Sequence, residues 1–134
     1  MITKDDTFTL WFPFPSNELA SMYDVYRVIL GPVGVTVIMI PDGPRKNEFK
    51  CIKLSWSSFV AYQVSEETFR NDCWVTAQQE QGAFFISKNS LCLQTFQKNS
   101  ILFPKDTMHY LLVGTNLIFD VLSAEAPLIE YCDL

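Results

Sequence analysis

The chain has 134 residues, with 10 basic and 15 acidic side chains, a formal charge of −5, one histidine and four cysteines. That length fits a single domain, residues 1–134, with a core of its own and no room for a second. The acidic balance excludes a protein that binds a phosphate backbone through a basic footprint, and one histidine excludes any metal site built on two or more imidazoles.

The first residues, Met1-Ile-Thr-Lys-Asp-Asp, lack the basic and apolar regions of a signal peptide. The longest apolar run, Val33 to Ile40, is interrupted by Gly34 and Thr36 and falls far short of the roughly 20 residues needed to cross a bilayer. The expectation is a soluble intracellular protein, cytoplasmic or nuclear, with no membrane contact. Cys51, Cys73, Cys92 and Cys132 are widely spaced without a Cys-x-x-Cys pair, which reads as reduced thiols packed as small hydrophobes. A zinc site from these four and His109 would have to be gathered from distant segments, so no metal or other cofactor is expected.

In chain order, Thr7–Phe12 reads as a first strand, ended by Pro13 and Pro15. Asn17–Leu30 is ambiguous: Leu19, Met22, Tyr23, Tyr26, Ile29 and Leu30 fall at helical offsets after Ser16, favouring a helix in the first half, while Tyr23–Leu30 is rich in strand formers. Val35–Ile40 is continuous enough to predict a strand buried on both faces, and Pro41-Asp-Gly-Pro44 closes it. Cys51–Trp56 alternates, with Ile52, Leu54 and Trp56 on one face, and Phe59–Val64 follows in phase. Ser65-Glu-Glu67 predicts a short helix at about 65–72. Trp74–Ala77, Ala83–Ser87, Leu91–Phe96, Ile101–Phe103, Met108–Val113 and Leu117–Leu122 complete the strands, the last two joined as a hairpin through Gly114-Thr-Asn116. About ten strands in this length predict an all-β fold, an antiparallel barrel or sandwich with one or two short helices.

Residue types for catalysis are scarce. His109 lies opposite in phase to Met108, Tyr110 and Leu112, which places it on an edge or surface, and no nucleophile elbow accompanies it. Asp120 interrupts an apolar strand on the face of Ile118 and Leu122, so it either meets solvent, the favoured reading, or needs a buried partner. Asp5-Asp6 and Glu66-Glu67 read as solvated caps, the five glycines form no phosphate cradle, and the basic cluster around Arg45-Lys46 is a solubilising loop. Aromatics are in excess, with 11 Phe, 5 Tyr and 3 Trp. Most fill the core, but Trp11-Phe12-Pro13-Phe14 is broken by proline and belongs either over an open barrel end or in a protein contact.

The run Ser100-Ile-Leu-Phe-Pro-Lys-Asp-Thr-Met-His109 resembles the second motif of the cupins, with His109 five residues after Pro104 and Asp106 where that family has glycine. Leu117–Ser123 resembles the strand after the motif, and Gly82–Leu93 the hairpin before it. The resemblance implies a double-stranded β-helix, a jelly roll. Residues 48–82 lack the two histidines and glutamate of the first cupin motif, and residue 113 is valine where asparagine would stand. It is therefore to cupins without metal, such as the dimerising type at the carboxy terminus of centromere protein C, or those with an emptied ligand pocket.

The expected function is a non-enzymatic interaction domain, a homodimer made by pairing sheets or exchanging the aromatic amino terminus. Trp11, Phe12, Phe14, His109 and Tyr110 are its candidate ligand- or partner-binding residues, with no catalytic or metal set and no direct nucleic-acid contact. The alternatives are a small acidic inhibitor or immunity protein covering a basic enzyme, or a small-ligand barrel.

Overall fold

The computed structural model describes residues 7–32, 34–70 and 82–134. Nine strands among them form two antiparallel sheets. The first sheet contains β1 (Thr9–Leu10), β5 (Ala61–Glu66), β6 (Phe84–Ser87), β7 (Met108–Val113) and β8 (Leu117–Ser123), in the order β1-β6-β7-β8-β5. The second contains β2 (Met22–Gly31), β3 (Gly34–Asp42), β4 (Cys51–Trp56) and β9 (Leu128–Cys132), in the order β2-β3-β4-β9. The expected all-β architecture is thus a sandwich. One α-helix, α1 (Leu91–Lys98), lies among the described residues, and no helix there is long and apolar enough to cross a membrane.

Between the sheets, Val35, Val37, Met39, Ile52, Leu54 and Trp56 meet Phe84, Tyr110, Leu112, Phe119 and Val121 in one buried cluster. β4 buries Ile52, Leu54 and Trp56 as its alternation predicts. β3 also alternates, burying Val35, Val37 and Met39 while Ile38 and Ile40 stay half-buried, so it is not covered on both faces as expected. Double burial falls instead on β7 and β8, whose outer side chains Leu111, Val113 and Ile118 join Phe85 in a second cluster under Phe8 and Leu10.

The sheets are tied by one polar corner. Gly114 to Leu117 closes the expected β7–β8 hairpin. Asp24, on β2, accepts hydrogen bonds from the amides of Asn116 (3.0 Å) and Leu117 (3.1 Å) and from the Asn116 side chain (2.9 Å). Thr115 donates to Asp42 (2.6 Å); that bond and the Gly43 amide hold the Asp42 carboxyl below its ordinary value. Gly114 does not use positive φ; a Cβ there would press on the Leu117 carbonyl and the Asp24 carboxylate.

Local structure departs from expectation where tertiary partners compete. Only Ser16–Glu18 is helical in the 17–30 region, as a 3-10 turn, because Met22–Gly31 is claimed by pairing with β3. Of the helix expected at 65–72, residues 71 and 72 lie outside the described residues, and 65–70 hold only a 3-10 turn at Glu67–Phe69: the Ser65 hydroxyl accepts from Arg70 instead of capping, and the Glu67 amide bonds to the Asn116 carbonyl. Leu91–Phe96 is helix, not strand, because the Ser90 hydroxyl caps it by accepting from the Leu93 amide (3.1 Å). Ile101–Phe103 is irregular and exposed at Ile101 and Leu102. The first strand shortens to Thr9–Leu10, Leu128–Cys132 is a strand that was not anticipated, and the strand expected at Trp74–Ala77 lies outside the described residues.

Replacing Gly114 with alanine is expected to destabilise the fold by about 1–3 kcal/mol through overpacking of this corner. Urea unfolding of the G114A variant, with an unchanged slope and a lower midpoint, is the check.

Candidate functional site

The site grows out of the outer face of the first sheet. The β7–β8 register sets His109 opposite Leu122 and Leu111 opposite Asp120, so His109 and Asp120 are diagonal neighbours on one face. His109 Nε2 lies 2.7 Å from Asp120 Oδ1, and His109 Nδ1 lies 2.7 Å from Ser90 Oγ. Beyond the carboxylate, Arg70 donates from Nη1 to Oδ2 (2.7 Å) and from Nη2 to Oδ1 (3.2 Å), and Nη1 also reaches Ser65 Oγ (3.2 Å). The Phe8 ring meets the imidazole in a T-shaped contact, with centroids 5.1 Å apart.

These bonds form one chain. Ser90 Oγ accepts from the Leu93 amide and meets His109 Nδ1; Nε2–H donates to Asp120, whose remaining acceptor capacity faces Arg70. Burial alone would raise the Asp120 carboxyl, but the hydrogen bonds and charges of His109 and Arg70 outweigh it and hold the group below the ordinary carboxylate range.

A serine, histidine and aspartate linked at these distances have the composition of a nucleophilic triad. The geometry differs in two respects. The serine meets Nδ1 and the aspartate Nε2, the reverse of the usual hydrolase arrangement, and Ser90 is 0% and His109 1% exposed. A nucleophile needs an open side for the substrate carbonyl and an oxyanion site beside it. Here the serine oxygen is enclosed between the Leu93 amide and the imidazole, and the arrangement fastens α1 and the Arg70 turn to the sheet.

The edge or surface position expected for His109, and the solvent position favoured for Asp120, are therefore corrected: each is buried because its strand is covered on both faces. Tyr110 is buried on the opposite face, 5.4 Å from both Trp11 and Trp56. The Trp11 amide bonds to the Phe84 carbonyl (2.9 Å), while Phe14 stacks on Tyr131 of the other sheet at 4.0 Å. Burial and a bond from its hydroxyl to Glu18 push the Tyr131 phenol up to about 12. The aromatic segment thus docks on both sheets, and only Phe12, 55% exposed, turns outward. Of the five candidates, Trp11 and Tyr110 meet in the interior, and Phe12, Phe14 and His109 stand apart.

Sequence reasoning missed Ser90, Arg70 and the exposed pair Ile101–Leu102. A signal existed for the His109–Asp120 pair: their same-face neighbours Leu111, Val113, Ile118 and Leu122 are all apolar. Arg70, 50 residues from its partner, had none. A groove of about 740 Å³ runs between α1 and the 103–108 segment, lined by Leu93, Phe103, Lys105 and Met108 among others. Among the described residues no group of three or more His, Cys, Asp and Glu is placed to hold a metal. No family model, curated protein or solved structure matches the chain.

Removing one partner from a buried ion pair leaves the other uncompensated, so Asp120→Ala is expected to cost about 3–5 kcal/mol. Because the folded carboxyl lies below its unfolded value, its contribution is complete above the unfolded pKa and is lost as pH falls through the folded one. The stability gap between the native chain and Asp120→Asn should accordingly be constant near neutrality and shrink below about pH 4, as read by chemical denaturation across pH.

Proposed function

We propose that this chain is a non-enzymatic interaction domain that pairs with a second copy of itself. The observation that carries this reading is a pair of exposed apolar turns of opposite charge, one after the carboxy-terminal end of α1 and one after β5. After α1, Ile101 is 100% and Leu102 91% exposed, between Lys98 and Lys105. After β5, Phe69 is 80% exposed beside Glu66 and Glu67. Residues 82–105 hold three lysines and no carboxylate in a chain whose net charge is −5.

In a two-fold dimer, patch i of one copy meets patch j of the other and the reverse contact follows by symmetry. Two complementary patches on one copy suit that arrangement, and large exposed apolar side chains are what such contacts bury. The reading as a cupin without metal rests on residues 100–123, where Pro104, His109 and a left-handed Asp106 (φ 63°) keep the motif's spacing. An acidic inhibitor of a basic enzyme draws on the overall charge, but the most exposed aliphatic side chains sit on a basic segment, which favours self-association.

Sedimentation of the full chain at tens of micromolar in low salt should show a dimer that weakens as salt rises. Ile101→Asp with Leu102→Asp should give a folded monomer. Reversing Lys98 and Lys105 to Glu should weaken association, and adding Glu66→Lys and Glu67→Lys should restore it. A native chain that stays monomeric throughout overturns the reading.

A further inference from the structure

Cys51 begins β4 and Cys132 ends β9, and the register of these two strands sets them directly opposite each other. Opposed residues of an antiparallel pair have Cα atoms about 4.5–5.5 Å apart, within the roughly 4.4–6.8 Å that a disulfide spans. Their side chains also leave the sheet on the same side. That side faces away from the core, since Ile52, Leu54 and Trp56 occupy the other, and the next outward pair is Lys53 with Glu130, 4.0 Å apart. Both thiols are reduced and half-buried, within reach of a small oxidant. Each sits at a strand end, where a small backbone adjustment is cheapest.

We infer that Cys51 and Cys132 are a thiol–disulfide modification site, closed by a small disulfide oxidant such as oxidised glutathione, which fastens the carboxy-terminal edge strand to its sheet. Burial pushes both thiols up, so the reaction proceeds through the minor thiolate fraction of either, with Cys132 taken as the first to attack. Its thiolate attacks one sulfur of oxidised glutathione and expels one glutathione thiolate. The Cys51 thiolate then attacks the Cys132 sulfur and expels the second. Two protein thiols are oxidised, losing two protons and two electrons, and one glutathione disulfide is reduced to two thiols. The strand fastened this way carries Tyr131, on which Phe14 stacks and from which a hydrogen bond reaches Glu18, so the bond secures the seat of the aromatic amino-terminal segment.

The test incubates the full chain with excess oxidised glutathione, alkylates the remaining thiols and maps the peptides. The expected result is one Cys51–Cys132 cross-link with loss of two hydrogens, a rise in Tm of about 5–15 °C, and reversal by a dithiol reductant. In Cys51→Ser the reaction should stop at a glutathione adduct on Cys132, without the rise in Tm. Phenylarsine oxide on the native chain, which bridges two adjacent thiols with release of water, should map to the same two cysteines and does not depend on a variant folding. Cross-links through Cys73 or Cys92, glutathione adducts without an internal cross-link, or no arsenic bridge at this pair would overturn the inference.

Discussion

The carboxylate of Asp120 is bound on two sides, by the guanidinium of Arg70 and the imidazole of His109, in a largely buried place. Desolvating three such groups is unfavourable unless each finds its partners, and a guanidinium meeting a carboxylate through two nitrogens is among the geometries that compensate it. The chain continues through His109 to Ser90 and ends on the first turn of α1. A single line of hydrogen bonds therefore runs across β8 and β7 and fixes two connections that would otherwise be loosely held: the turn after β5 and the helix after β6.

The Arg70 end of this line also holds a turn that bears a bare apolar side chain, Phe69. Ile101, Leu102 and Phe69 make little contact with the body of the protein, so their own packing does not orient them. The backbone beside Phe69 is anchored from within by Arg70, whereas Ser90 holds the first turn of α1 and Ile101 and Leu102 follow its last. An anchored apolar surface loses less conformational freedom on association than a mobile one, which is where the affinity of such contacts is gained. The opposite corner works by similar means. Asp24 and Asp42 reach across to the β7–β8 turn, and the aromatic segment from Trp11 to Phe14 spans the sheets with a ring on each.

Alternation within a strand was legible wherever a single face is buried. Cys51–Trp56 and the β7–β8 hairpin can be read from residue pattern alone, because a period of two and a turn rich in Gly, Thr and Asn are local properties. Leu91–Phe96 was illegible for a related reason: its apolar residues suit either a strand or a helix, and the Ser90 cap decides in favour of the helix. An edge or surface position for His109, and the solvent-facing reading of Asp120 over a buried partner, both require one face of each strand to be wet. That requirement fails at the centre of a sheet covered on both sides.

By itself the order of residues determined the class of the fold, the phase of its central strands and the scarcity of proton-transferring groups, since each depends on composition or on spacing within a few residues. Which groups would meet was decided by the tertiary structure. Arg70 and Asp120 are 50 positions apart, and Cys51 and Cys132 are 81 apart. Such pairs are brought together by strand order and register, which emerge only when the sheets pack and bury their shared core.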